Sequence, residues 1–361
     1  FFFRFNNLNW DENFHLHPDE RFLTMVGQAM KIPSSINQYF DQKTSLLNPA
    51  NLGYNFFVYG RFPLILTKYL AINLNLDNYN DFTILGRQLS AFFDLLIILF
   101  VIKTVGLLEK KLKLKPLTKY WAGFFYAIAV LPIQLSHFFA VDTFLNFFMF
   151  GSFYFSLKYY FQKRWRNIIF SAIFFGFALS SKITALFILP LILILILLTY
   201  LKRPSQISKY LLFIFIYFGI FYLTLRLTDP YLFQNANIFD PTPSKLFIEN
   251  IKSLKNMTIK DMNNWFPPMV QWLNKNTLQH SLVNNIVFGM GIPYAILIFV
   301  GMSLTISNIK NQRSKILAII LFWVIGFFVY QSLQVTPALR YFIFIYPFLA
   351  IFAGIGINVI L

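Results

Sequence analysis

The stretch ALFILPLILILILLTYL at residues 185–201 decides the class of fold, because it contains no charged side chain. The stretch FIFIYPFLAIFAGIGINVIL at 342–361 has the same character. As helices, runs of this length suit a hydrocarbon core of roughly 30 Å. Neither run alternates apolar and polar residues, as the strands of a membrane barrel do. The sequence therefore predicts an all-α polytopic membrane protein.

Composition supports this prediction along the whole chain. Hydrophobic residues make up 57% of the 361 residues and charged residues 12%, about half the charged fraction of a soluble domain. The chain has no Cys, which excludes disulfides and thiolate metal sites. It begins without Met, so we expect a piece of a longer protein whose first span ends near residue 5. Further apolar spans are predicted near 83–108, 120–136, 143–161, 167–181, 184–201, 209–227, 286–307, 315–334 and 341–361.

The positive charges lie in short connectors between the predicted spans. The net charge is +17, and Lys and Arg are concentrated in four connectors at 109–119, 162–167, 201–209 and 308–315. Basic connectors of this kind stay in the cytoplasm. This distribution indicates a membrane topology and excludes a nucleic-acid partner. The long polar segments 6–82 and 228–285 are then the two large outer loops.

An unusual cluster of charged residues, FHLHPDERFL, lies at 14–23 in the first outer loop. Pro18 favours the first turn of a helix, which places Asp19 and Glu20 at a helix N-terminus, where the ionised carboxylate is favoured. A carboxylate in this position either accepts a proton from a hydroxyl group, binds a cation, or only caps the helix. A second acidic pair, Asp11 and Glu12, precedes it.

The two histidines of this cluster allow a metal interpretation. His15 and His17 are two residues apart, so in an extended segment both point the same way, and with Asp19 they would form a ligand set. One His-x-His is weak evidence, and an ordinary surface loop is the favoured interpretation. A divalent cation therefore stays an open question.

Further polar residues lie where a membrane protein tolerates few of them, in the first outer loop or near the outer ends of spans: Arg61, Arg87, His137, Asp142, Lys182 and Arg340. Ionisable groups beside a span are functional candidates by default. Each also has a simpler interpretation, since Asp142 suits a helix cap and Lys182 can snorkel to the interface. Together they place acids and cations on one side of the membrane, and Arg suits phosphate oxygens.

Seven stretches together resemble a known family: WDENFHLHPDERFL (10–23), NPANLGYNFFVYGRFPL (48–64), GRQLSAFFDL (86–95), IQLSHFFAVDTFLNFF (133–148), LSSKITAL (179–186), NIVFGMGIPYAIL (285–297) and LRYFIFIYPFLAIFAG (339–354). In this order they resemble bacterial glycosyltransferases of family 39, which depend on a phospholipid carrier. Relatives of this family are the protein O-mannosyltransferases and the lipid A aminoarabinose transferases.

The resemblance implies a single GT-C catalytic domain over residues 1–361, in the bacterial plasma membrane, with its active site on the outer face. It implies transfer of a sugar from a polyprenyl phosphate to a lipid, glycan or protein acceptor. Asp19 matches the catalytic Asp and Glu20 its neighbour. Arg61 stands where aminoarabinose transferases carry a phosphate-binding Lys, and Lys182 and Arg340 match basic positions of the group.

We expect Asp19 to act as the base, with Glu20 beside it. Four cations are expected at the donor phosphate, namely Arg61, Lys182, Arg340 and Arg87, with His137 and Asp142 as supporting polar groups. A single displacement would invert the anomeric centre. A transporter or flippase of lipid-linked glycans, or a polymerase of them, is the alternative, and the acidic pair in the first outer loop speaks against it.

Overall fold

The computed structural model describes residues 1–200, 207–257, 272, 275–309 and 315–360. Within these residues the regular elements are helices, and the extended pairing is limited to one bridge between Phe233 and Pro243. Four short helices precede the long ones: α1 (Phe2–Phe5), α2 (Pro18–Ala29), α3 (Ile36–Phe40) and α4 (Phe62–Asn73). The segment 6–82, which is predicted to be the first outer loop and is called so below, is thus partly helical.

The bundle begins with the longest helix, α5 (Tyr79–Leu112). The helices that follow it are α6 (Thr118–Ile128), α7 (Val130–Ser136), α8 (Val141–Gln162), α9 (Trp165–Leu179), α10 (Leu189–Leu198) and α11 (Ile207–Thr228). Beyond the second outer loop lie α12 (Lys245–Met257), α13 (Thr277–Asn284), α14 (Ile292–Ser307), α15 (Lys315–Ser332) and α16 (Tyr346–Gly356). Every predicted span contains one of these helices or a pair of them.

Among the described residues, four helices are long and apolar enough to cross a bilayer, and five if one bent pair counts as a single span. Most of the remaining predicted spans contain shorter helices, and the span predicted near 143–161 contains α8, which is long enough but less apolar. The bent pair joins Thr277–Met290 to Ile292–Ser307 at 114°. The break has a local cause, because Gly291 has a φ of +89° and ψ of 148°, a conformation essentially limited to glycine.

The bundle is held together by large apolar side chains and by close helix contacts. Helix α8 packs against α5, α9 and α10, while α16 packs against α6 and α14. A Cβ at Gly301 would overlap the carbonyl of Phe352, and one at Gly356 would overlap the carbonyl of Leu297. Small residues at such a crossing allow two helices in a membrane to approach closely.

The connections place the basic connectors and the candidate site residues at opposite ends of the bundle. Helix α8 begins beside Asp142 and ends before the basic connector 162–167, from which α9 returns to end near Lys182. Helix α15 begins at Lys315 and ends before Arg340. Much of the connectors 201–209 and 308–315, and the stretches 258–271 and 273–274 of the second outer loop, lie outside the described residues.

Candidate active site

The acidic cluster of the first outer loop forms the start of α2. The helix begins at Pro18, as predicted, and the Nδ1 atom of His17 accepts a hydrogen bond from the amide of Glu20 at 3.3 Å. A ring nitrogen in this position replaces the oxygen of a usual N-cap residue. Burial lowers the pKa of His17 from its ordinary value of 6.5, which favours the neutral ring that the cap requires.

Asp19 lies in a cavity of about 260 Å³ together with Lys182 and Arg340. Arg340 Nη1 contacts Asp19 Oδ2 at 2.5 Å, and both side chains are about one-quarter exposed. Lys182 Nζ contacts Asp142 Oδ1 at 2.9 Å. The cavity therefore brings together residues that are far apart in the sequence, and two of the four expected phosphate ligands line it.

Aromatic rings surround this cluster of charges. The ring of Tyr341 lies 5.3 Å from Lys182 Nζ and 5.2 Å from the guanidinium carbon of Arg340. Lys182 and Arg340 therefore lie beside the same ring, and a phosphate group bound between them would contact two positive charges. Tyr59 also lines the cavity, and burial, with the charge of Asp19 nearby, raises the pKa of its hydroxyl.

A short backbone pairing positions Tyr59 and Lys182. The amide of Gly60 donates to the carbonyl of Ser181 at 2.9 Å, and the amide of Phe62 donates to Ser180 at 3.1 Å. A Cβ at residue 60 would overlap the Ser180 carbonyl. Gly60 thus permits the close contact that holds both segments at the cavity.

Glu20 does not line this cavity, although it follows Asp19 directly. Its carboxylate is fully buried and contacts Arg87 at 2.5 Å and 2.9 Å. It also accepts the amide of Phe139 at 2.6 Å. Arg87 further contacts Asp11 through two bonds of 3.0 and 2.8 Å, and donates to the Leu8 carbonyl. We call these three side chains, Asp11, Glu20 and Arg87, the Arg87 clamp.

The two acidic pairs of the first outer loop, Asp11–Glu12 and Asp19–Glu20, have their side chains in different surroundings. Asp11 and Glu20 are buried in the Arg87 clamp. Burial alone would raise the pKa of Asp11, but the bonds from Arg87 and from the Leu16 amide outweigh it, so that the pKa of Asp11 lies below its ordinary value. Glu12 is exposed. Of these four acids, Asp19 alone lines the cavity described above.

Arg61 also lies outside this cavity. Its Nη1 atom contacts Asp229 at 3.0 and 3.3 Å, and its backbone amide donates to the same carboxylate. Asp229 follows the end of α11 and is fully buried, and burial raises its pKa above the ordinary range. The pair ties the first outer loop to the start of the second. Sequence reasoning missed Asp229, although an acid at the end of a span was the available signal.

The histidines serve separate structural contacts. His15 Nε2 contacts Asn80 at 2.9 Å, whereas His17 stacks on Phe138 and caps α2. His137 contacts the carbonyls of Ile133 and Asn6 through its two ring nitrogens. Among the described residues no group of three or more His, Cys, Asp or Glu side chains is arranged to hold a metal ion. The structure does not bring His15, His17 and Asp19 together as one ligand set.

Comparison with known proteins identifies the class to which this arrangement belongs. Residues 34–237 match the family model described as dolichyl-phosphate-mannose-protein mannosyltransferase. The match covers more than half of the chain, which therefore belongs to this family. The resemblance deduced from the sequence is confirmed. No curated protein matches the chain by sequence.

Solved structures share the fold at low sequence identity. An oligosaccharyltransferase of Archaeoglobus fulgidus, in complex with Zn and sulfate, has a TM-score of 0.62 at 13% identity, covering 95% of this chain and 45% of that one. ArnT from Cupriavidus metallidurans, bound to undecaprenyl phosphate, has a TM-score of 0.53 at 15% identity, covering 94% and 59%. The chain thus spans about half the length of these proteins. The predicted GT-C-type helical membrane fold is confirmed.

Proposed function

We propose that the chain is the membrane-embedded part of a glycosyltransferase that takes a sugar from a polyprenyl-phosphate donor. The observation that carries this proposal is the cavity in which Asp19 lies with Lys182 and Arg340. A carboxylate can act as the base toward an acceptor, and two cations can stabilise the negative charge of a leaving phosphate. Membership of the family supports a lipid-linked donor, and so does the similarity of the fold to ArnT, which binds undecaprenyl phosphate.

In the proposed reaction Asp19 takes the proton from a hydroxyl or amine group of the acceptor. The freed electron pair forms a bond to the anomeric carbon of the sugar. The bond between that carbon and the phosphate oxygen breaks, and its electron pair passes to the leaving polyprenyl phosphate. Lys182 and Arg340 stabilise the charge that grows on this phosphate. One displacement of this kind inverts the anomeric centre.

The contacts divide the expected residues into two groups. Lys182 and Arg340 are proposed to bind the donor phosphate, with Asp142 orienting Lys182 through its 2.9 Å contact. Glu20, Arg87 and Arg61 are proposed to hold the first outer loop in place, because their charged groups are buried in ion pairs away from the cavity. His137 joins α7 to the segment after α1.

Donor titration with two matched substitutions tests the phosphate assignment. We expect Lys182→Gln to raise the donor concentration needed for half-maximal transfer by about 10- to 100-fold, the scale of a lost charge-assisted hydrogen bond. Arg61→Gln is expected to lower stability and leave the donor dependence of the folded fraction nearly unchanged. Equal donor dependence for Lys182→Gln and the wild type would refute the assignment. If the wild-type protein moves the lipid-linked sugar across a vesicle membrane without transferring the sugar to an acceptor, the flippase alternative is supported.

The proposed outer location of the cavity follows from the basic connectors at the opposite end of the bundle. Because the chain has no Cys, a single Cys at the exposed residue Asn51 reports its side of the membrane. We expect a membrane-impermeant maleimide to label Asn51→Cys in intact cells. Labelling that requires permeabilised membranes would place the site in the cytoplasm.

A further inference from the structure

The carboxylate proposed as the base and one of the cations proposed to bind the phosphate are in direct contact. Arg340 Nη1 donates to Asp19 Oδ2 at 2.5 Å. The contact joins the first turn of α2 to the turn Leu339–Ile345, although the two residues are 321 positions apart. The reaction described above gives each residue its own task and does not use this contact.

The contact holds Asp19 by one oxygen and leaves the other oxygen available. Asp19 Oδ1 has no hydrogen-bond partner among the described residues, and the side chain remains 23% exposed in the cavity. A carboxylate that is held through one oxygen keeps its second oxygen in a defined direction. Such direction matters for a general base, which must lie within hydrogen-bond reach of the proton that it removes.

Arg340 is itself held by Tyr341. The guanidinium carbon lies 5.2 Å from the ring of Tyr341, and Nη2 donates to the Tyr341 hydroxyl at 3.4 Å. A guanidinium group carries five N–H donors in a rigid plane, and the Nε atom of Arg340 has no hydrogen-bond partner among the described residues. Arg340 can therefore hold Asp19 and donate to a phosphate at the same time. The ammonium of Lys182, by contrast, is a compact charge that already contacts Asp142.

We propose that Arg340 is the positioning residue of the base, which directs the carboxylate of Asp19 toward the acceptor while it binds the leaving phosphate. This proposal rests on the proposed function and gives the two cations different tasks. Arg340 acts mainly on turnover, whereas Lys182 acts on donor binding. Catalytic sites in which a third group orients the base follow the same logic. Here the orienting group also contacts the leaving group, so one side chain fixes the distance between base and phosphate.

Arg340→Lys separates the positioning role from the positive charge. Lys keeps a charge for the phosphate but lacks the planar fork that contacts two partners at once. We expect turnover at saturating donor to fall by about 10- to 100-fold, the scale of a misplaced catalytic group. The donor concentration for half-maximal transfer should change by less than about threefold, because the charge is kept. Arg21→Lys, at an exposed arginine of α2 outside the cavity, is the matched control and should keep both wild-type values.

A double substitution shows whether the loss of turnover passes through Asp19. Since groups that act as a unit are not additive, Arg340→Lys should cause no further fall in turnover when Asp19→Asn is already present. A fall by the same factor in both backgrounds would overturn the positioning role. Arg340→Lys with wild-type turnover and altered donor dependence would overturn it as well, while the proposed function still stands. If the wild-type protein transfers no sugar, the proposed function itself fails.

Chemical rescue of Arg340→Ala gives an independent readout. The ion pair with Asp19 is about one-quarter exposed, and the loss of such a pair costs little stability, so the variant should fold. We expect added guanidinium ions to restore its turnover more than methylammonium ions at equal concentration, because only the planar fork contacts the base and the phosphate together. Equal rescue by the two ions would show that positive charge alone matters and would overturn the positioning role.

Discussion

Replacing Arg87 by Gln tests whether the Arg87 clamp holds the structure or serves the donor phosphate. Arg87 donates to two buried carboxylates and one carbonyl, and its side chain is 1% exposed. Gln cannot neutralise these two carboxylates. Removing one partner of a buried ion pair costs about 3–5 kcal/mol, so we expect Arg87→Gln to lose at least that much of its free energy of unfolding.

The assay is denaturant unfolding of the purified protein in detergent, with donor binding measured on the folded fraction. Arg21→Gln is the matched control, since Arg21 adjoins Glu20 in the sequence but is exposed; its stability should change by less than about 0.5 kcal/mol. The double substitution of Arg87→Gln with Glu20→Gln should recover part of the loss, because one unpaired charge is removed. Wild-type stability combined with weakened donor binding in Arg87→Gln would refute the clamp and restore a phosphate role.

Three further predictions concern the helices and loops around the cavity. Gly60→Ala should reduce transfer and stability together, because the added methyl group overlaps the Ser180 carbonyl; a thermal melt and a transfer assay with normal values would contradict this. Gly301→Ala should destabilise the contact of α14 with α16, whereas Gly219→Ala, which has open space around its Cβ position, should not, as thermal melts of both variants would show. His17→Asn keeps a capping side chain without a titrating ring. Since the folded pKa of His17 lies below 6.5, the wild type should lose stability as the pH falls from about 6.5 towards that folded value. A His17→Asn variant that loses as much stability over this pH range would contradict the role of His17 as a neutral cap.

The sequence was sufficient to predict the helical membrane fold and most helix positions, because apolar runs and basic connectors report on transfer between water and lipid. Pro18 allowed the start of α2 to be predicted from its first-turn preference. Breaks inside spans were harder to predict. The sharp bend at Gly291 depends on a positive φ value, and an isolated glycine in an apolar run does not show that it will adopt one.

The residues expected at the site lie only partly together. Asp19, Lys182 and Arg340 do meet in one cavity. Sequence alone did not separate them from Glu20, Arg61 and Arg87, because the position that a charged side chain takes depends on its partner. Glu20 points into the clamp and Asp19 into the cavity, although they are neighbours on one helix turn. Asp229, the partner of Arg61, lies 168 positions away, and no local pattern reveals such a pairing.

The most direct test of the proposed catalytic role is sugar transfer by Asp19→Asn from a radiolabelled polyprenyl-phosphate donor. His17 rather than Asp19 caps α2, and Asn has nearly the shape of Asp, so the variant should fold and bind the donor, while turnover should fall by about 10²–10⁴-fold through loss of the general base. Asp81→Asn, at an exposed acid in the first turn of α5, should transfer at the wild-type rate. Near-normal transfer by folded Asp19→Asn would contradict the proposed role of this carboxylate.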